Sequence, residues 1–251
     1  MLDGLIERME DVSRPLRDVL LIGCPDDSAA ARLRAMGKSV DCVDPAPANA
    51  AAVGGVSAAE DALPFAEARY DLVLAVGTLD TVNDLPGALI NIRRVLRPDG
   101  LFLGACVGAG SLPCLRGVLL EAEGDRPAAH IHPQIDVRSA GDLLARTGFA
   151  MPVADSEGLT ARYSSLFALM HDLRGMGLGN VMAHDRTGPL RRDTLARAAA
   201  LFAAQADPDG KTAEMFSLVY FSGWKPDPAQ PKAAPRGSAR ISLADALKTK
   251  A

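Results

Sequence analysis

Three short stretches of this chain carry residue types that can hold a polar or charged ligand. Gly23-Cys24-Pro25-Asp26 closes an apolar run at 18–22. Asp44 closes a second run, 21 residues after Gly23, and an acid at that position can accept both hydroxyls of a ribose. Gly77-Thr78-Leu79-Asp80 closes a third run, Tyr70–Val76. Glu60 and Asp61 add a carboxylate pair between the second and third; solvated surface groups are the plainer reading of that pair. The first turn has no second helix-terminal glycine and no Walker lysine, so it cradles a pyrophosphate poorly and speaks against NAD or ATP. His130-Ile-His132 offers two imidazoles on alternate residues, but no third ligand is spaced near them and Pro133 signals a loop, so no metal is expected. Arg116, Tyr163, Arg174 and Asn180 are polar groups of the second half that could line a substrate pocket or pin helices over it.

The elements that must position these groups follow from periodicity. Leu2, Leu5, Ile6 and Met9 recur at helical spacing. Asp18–Ile22 reads as a buried strand, 28–36 as a helix closed by Gly37, and 39–43 as a second strand. Pro45, Pro47 and Gly54-Gly55 make the next helix doubtful. Tyr70–Val76 is a third strand. Asp84 and Pro86 open an amphipathic helix on Leu85, Ala88, Leu89, Ile92, Val95 and Leu96. Arg97-Pro-Asp-Gly100 reads as a turn and 101–107 as a fourth strand. Alternating strands and helices imply right-handed βαβ units and a parallel sheet, whose ligands sit beyond the carboxyl ends of the strands. Further on, helices near 111–123, 139–147, 165–174 and 192–205 and strands near 159–163 and 215–221 are expected.

Composition bounds the class. The 251 residues hold 27 Lys plus Arg and 31 Asp plus Glu, with 48% apolar and 23% charged residues. That excludes a disordered chain, a collagen and a coiled-coil rod. No apolar run is long enough to span a bilayer. A net charge of −4 offers no basic face for nucleic acid. Four cysteines without a C-x-x-C pair, and a start without a leader pattern, lead to the expectation of a cytoplasmic chain with reduced thiols. From Lys225 to the end lie four prolines and six Lys plus Arg against two acids, which reads as a Pro-rich basic arm, 225–251, beside a single domain, 1–224.

Leu63-Pro-Phe65, Tyr70-Asp-Leu-Val73, Val82-Asn-Asp-Leu-Pro86 and Leu96-Arg-Pro-Asp-Gly100 together resemble the methyltransferase-11 pattern of class I S-adenosylmethionine-dependent methyltransferases. His130-Ile131, Leu166–Gly177 with Asp172-Leu-Arg-Gly-Met-Gly177, Asn180, Gly223-Trp224 and Gly237-Ser-Ala239 resemble the family of respiratory complex I assembly factor 5. That family is similar in turn to the malonyl-carrier-protein methyltransferases of biotin synthesis. The first set of motifs is common to many methyltransferases and the second is far more specific; the likeness covers about residues 15–249.

The resemblance implies a Rossmann-like α/β sheet of seven strands, mostly parallel with an antiparallel last strand, and a helical insertion at about 164–212. It implies S-adenosyl-L-methionine held by Gly23, Cys24, Asp44, Glu60 and Gly77, and a substrate pocket drawing on Arg116, His130, Tyr163 and Asn180. The implied partner is a protein substrate or client, a complex I subunit by resemblance, modified on a side chain or a protein-bound carboxylate. Members of the assembly-factor family are linked to arginine hydroxylation rather than methylation. The alternative is a non-catalytic assembly factor, because several family positions have changed. Pro25 stands where the family's loop has a second glycine. Ala59 stands where it has the adenine-binding aspartate, with Glu60 adjacent as a substitute. Asp80-Thr81 replaces its His-Trp. Leu63 follows Asp44 by 19 positions, fewer than the family spacing. The family's basic, aromatic N-terminal arm is missing from this stretch.

Overall fold

The computed structural model describes residues 1–124, 130–181 and 190–229. Its elements are α1 (Leu2–Glu10), β1 (Asp18–Ile22), α2 (Ser28–Ala35), β2 (Ser39–Asp44), α3 (Pro47–Ala52), β3 (Val56–Ser57), β4 (Tyr70–Val76), α4 (Leu85–Val95), β5 (Leu96–Gly108), α5 (Pro113–Glu123), α6 (Val137–Arg146), β6 (Ala150–Tyr163), α7 (Leu166–Gly175), α8 (Arg192–Ala204) and β7 (Thr212–Trp224). The strands form one sheet in the order β3-β2-β1-β4-β5-β7-β6. β3 to β5 run parallel; β7 is antiparallel to both of its neighbours. This is the Rossmann-like seven-stranded methyltransferase sheet, and α7 and α8 fall between β6 and β7, inside the expected insertion.

The order reverses between β1 and β4. The chain runs outward from β1 through β2 and β3, then returns to β4 on β1's other side, which opens a crevice at the strand ends. β1 and β4 are apolar on both faces because helices cover both. Leu21, Leu33, Leu74 and Phe202 belong to the core under α1, α2, α5, α7 and α8. Leu20, Ile22, Leu89, Ile92 and Phe102 belong to the core under α4 and α6. Asp84 caps α4 by accepting the Gly87 N–H at 2.9 Å, and Asp136 caps α6 by accepting the Ser139 N–H at 2.9 Å.

Three stretches depart from the sequence reading. Arg97–Gly100 does not end a strand. It loops out of β5, where the partner register jumps from Tyr70↔Leu96 to Leu72↔Leu101 and Asp99 takes φ +58°. β6 begins nine residues before the expected 159, at Ala150. The short helix α3 forms despite its prolines, since Pro47 sits in its first turn, where no N–H is required. The basic arm lies almost wholly outside the described residues, as do Gly237-Ser-Ala239.

Candidate functional site

β1 ends at Gly23, whose φ of +83° is closed to ordinary side chains. A Cβ there would also sit 2.5 Å from the Val76 carbonyl oxygen and 3.2 Å from Thr78 Cβ, so only glycine lets the ends of β1 and β4 approach this closely. The next residue donates its backbone N–H to Asp44: Cys24 N to Asp44 Oδ2 is 2.7 Å. Asp44 Oδ1 accepts the Ala46 N–H at 2.8 Å and the Asn49 amide at 3.3 Å. The carboxylate is 4% exposed. Three of its roughly four acceptor directions are taken, the longest by a side chain that can move.

A cavity of about 820 Å³ lies over these strand ends, within the usual range for a cofactor site. Gly23, Pro25, Asp44, Gly77, Thr78 and Asp80 form one wall. Tyr163, Asp172, Arg174, Leu178 and Phe216, from the ends of β6, α7 and β7, face them, and Met1 of the N-terminal segment also borders the space. Burial, then the charge of the nearby Asp172 carboxylate, raises the Tyr163 pKa, so it stays a neutral phenol. The cradle suits a nucleoside-bearing cofactor: a glycine where backbone must approach, an acid beyond the second strand and a space of the right size.

The other candidates are dispersed. Cys24 is fully buried, its thiol donating to the Leu21 and Val43 carbonyls; the neighbouring Cys42 thiol and burial push its pKa up, so it contributes its backbone rather than a thiolate. Glu60 is buried and accepts the Thr78 hydroxyl, set back from the cavity wall; burial raises its pKa. Arg116 donates to the Ser111 carbonyl at 3.1 Å and to Gln134 at 2.8 Å, tying α5 to the following loop. His130 is paired with Glu123. Neither lines the cavity, and nor does Asn180. Among the described residues no cluster of three or more His, Cys, Asp or Glu could hold a metal.

Asp80 was legible only as a strand-end residue and a departure from the family pattern. It is 8% exposed, and neither carboxylate oxygen has a hydrogen-bond partner. Burial raises its pKa; the nearby N–H groups of Asp80 and Val107 and the His132 ring oppose that weakly, without an aligned hydrogen bond. Its place in the loop after β4, at the crevice, was the available signal.

A family described as "Methyltransferase domain" matches residues 20–104. Arginine-hydroxylase NDUFAF5, mitochondrial, of Danio rerio is 43% identical over 197 residues, covering 77% of this chain and 61% of that protein. The Rattus norvegicus protein of the same name is 36% identical over 96% of this chain and 74% of its own length. Malonyl-[acyl-carrier protein] O-methyltransferase of Halorhodospira halophila is 32% identical over 96% of this chain and 85% of that protein. The YcgJ protein of Bacillus subtilis superposes with a TM-score of 0.61 at 13% identity, covering 90% of this chain and all of that one, a likeness of fold. The chain thus spans less than two thirds of the zebrafish relative. The expected cytoplasmic location is corrected by these names: the arginine hydroxylases are mitochondrial. Reduced thiols and mild acidity suit more than one compartment, so they could not decide the point. No helix among the described residues is long and apolar enough to cross a membrane.

Proposed function

This chain belongs to the family that contains arginine hydroxylase NDUFAF5 and the malonyl-[acyl-carrier protein] O-methyltransferases, and on that premise we propose that it binds S-adenosyl-L-methionine and modifies a protein side chain or protein-bound carboxylate in the assembly of respiratory complex I. The observation that carries the proposal is the joined cradle: Gly23 and Asp44, linked through the 2.7 Å Cys24–Asp44 hydrogen bond, on one wall of a cavity of about 820 Å³. Asp44 would take a ribose hydroxyl in its remaining acceptor direction, with the Asn49 amide yielding the second. Gly23 and Gly77 leave room for backbone to meet the amino-acid end. Glu60, held by Thr78, would meet the adenine edge after a local adjustment. When bound, the cofactor supplies an electrophilic methyl carbon on a sulfonium.

The opposite wall receives the acceptor. Tyr163, with the Asp172 carboxylate acting on its hydroxyl, and Arg174 line it, the last two within the family-specific motif of α7. Such walls act by orienting the reacting group and excluding water.

A second reading is favoured by two observations. Asp44 already meets three protein donors, and Pro25, with no N–H to offer, lines the wall. On that reading the chain is a methyltransferase-fold assembly module with an eroded cofactor site. The two readings separate when the protein and S-adenosylmethionine are incubated with subunits of complex I from cells lacking this protein. Mass spectrometry finding one added methyl supports the enzyme. Unmodified subunits that nevertheless co-purify with the chain support the module.

A further inference from the structure

The main cavity is acidic: Asp44, Asp80 and Asp172 line it against one guanidinium, Arg174. Asp44 is met by backbone and amide donors. Asp80, three residues beyond Gly77 on the same wall, is 8% exposed and has a donor for neither oxygen. It also lines a second, small cavity of about 10 Å³ with Thr81, His132 and Gln134. His132 Nδ1 is likewise buried without a partner. That space admits no more than one water. One water can serve His132 and a single carboxylate oxygen, so the second oxygen must find its donor in the main cavity.

A buried carboxylate without donors is costly to a fold, and a cationic donor offsets that cost as a neutral one cannot. We propose that Asp80 is a specificity-determining residue for the amino-acid end of the cofactor, its carboxylate receiving the α-ammonium. The inference rests on the reading of the cavity as an S-adenosylmethionine site, to which it adds a charged side chain where Gly23 and Gly77 supply only room. Topology supports the placement. Asp44 follows β2, Gly23 follows β1 and Asp80 lies in the loop after β4, and these strands are neighbours in that order. A ligand whose ribose lies on Asp44 therefore carries its amino-acid end across Gly23 toward Asp80. The chemistry selects the ammonium, which offers three N–H donors; the sulfonium, the cofactor's other cation, offers none. The Asp80 carboxylate meets the ligand by turning about its side-chain bonds, a movement that breaks no hydrogen bond because it makes none.

The test is calorimetric titration of the full chain, wild type and Asp80→Asn, with four probes. S-adenosylmethionine carries both cations and S-adenosylhomocysteine only the ammonium. The des-amino analogue of S-adenosylhomocysteine carries neither, and 5′-methylthioadenosine lacks the whole amino-acid end. Asparagine keeps the side-chain volume and removes the charge. S-adenosylhomocysteine should bind wild type and weaken about tenfold or more in Asp80→Asn, the scale of a lost hydrogen bond to a charged group. The des-amino analogue should bind wild type no better than the variant. Affinity for 5′-methylthioadenosine should be the same in both proteins, which also shows that the variant folds with its nucleoside site intact. Equal affinity of the two proteins for S-adenosylhomocysteine overturns the proposal. So does an equal loss of 5′-methylthioadenosine, which would make Asp80 a residue of general site shape. A loss confined to S-adenosylmethionine overturns it too, by assigning Asp80 to the sulfonium. If no probe binds wild type, the cofactor reading itself has failed and this assignment falls with it, a pattern distinct from the other three.

Discussion

Asp44 accepts the backbone N–H of Cys24 across 2.7 Å, and this bond joins the ends of β1 and β2 into one rim. The side chain expected to meet a ribose therefore also holds the loop in shape. Asp44→Ala should lower stability by about 1–3 kcal/mol, since the buried N–H of Cys24 and the half-buried N–H of Ala46 lose their acceptor. It should also abolish binding of S-adenosylhomocysteine. Chemical denaturation and calorimetry together check this. A variant that binds as well as wild type would remove Asp44 from the site.

Gly23→Ala should cost about 2 kcal/mol or more and empty the site, because the new Cβ meets the Val76 carbonyl at 2.5 Å in a conformation with φ +83°. Gly110→Ala is the control. Its φ is +92° but a Cβ there would meet nothing within 4 Å, so it should cost about 1–2 kcal/mol and leave ligand binding intact. Equal effects of the two variants on binding would mean that close approach at Gly23 does not matter.

Arg97 bridges two of the recognised motifs: its Nη1 lies 2.7 Å from Asp71 Oδ1 and 2.8 Å from Asp18 Oδ2. Asp71 Oδ2 also accepts the N–H groups of Arg17 and Asp18, each at 3.0 Å. Burial, the largest single influence, raises the Asp71 pKa, but these donors together outweigh it and the net shift is downward. Arg97→Ala should cost about 1 kcal/mol at neutral pH, a modest figure because the guanidinium is part exposed. A depressed carboxylate pKa contributes stability above its unfolded value of 3.8, and loses it as pH falls through the lowered value. The variant should therefore lose less than wild type on acidification, as read from denaturation at a series of pH values. No difference in acid sensitivity would contradict the assignment.

Asp80 carries the opposite sign. Its folded pKa is raised by burial, so the stability it contributes is full below the ordinary value of 3.8 and is lost as pH rises through the raised one. Glu60 and His132, the other titratable groups acting on it, stay in place in Asp80→Asn. The variant should melt above wild type at neutral pH, and the gap should narrow toward pH 4. A gap independent of pH would mean that burial does not raise the Asp80 pKa above its unfolded value.

The strands at 18–22 and 70–76 were legible because both faces are covered and the sequence runs apolar through 19–22 and 72–76. β6 was half hidden: as an edge strand it is largely exposed, and Pro152 and Gly158 interrupt its pattern, Pro152 falling where the register shifts. The two-residue strand β3 has no pattern to read. Within the site, Asp44 and the glycines at 23 and 77 were legible because strand ends fix their place. Spacing alone could not bring Asp80 to His132, which lies 52 residues on in a loop that returns to the crevice. Nor could it turn Glu60 inward to Thr78, a contact that depends on how the 45–69 connection packs.

The most direct test is calorimetric titration of wild type and Asp44→Ala with S-adenosylmethionine and S-adenosylhomocysteine. The account predicts micromolar binding by wild type, about −8 kcal/mol, and its loss in the variant. No heat from either ligand at millimolar concentration with the wild-type protein would contradict it.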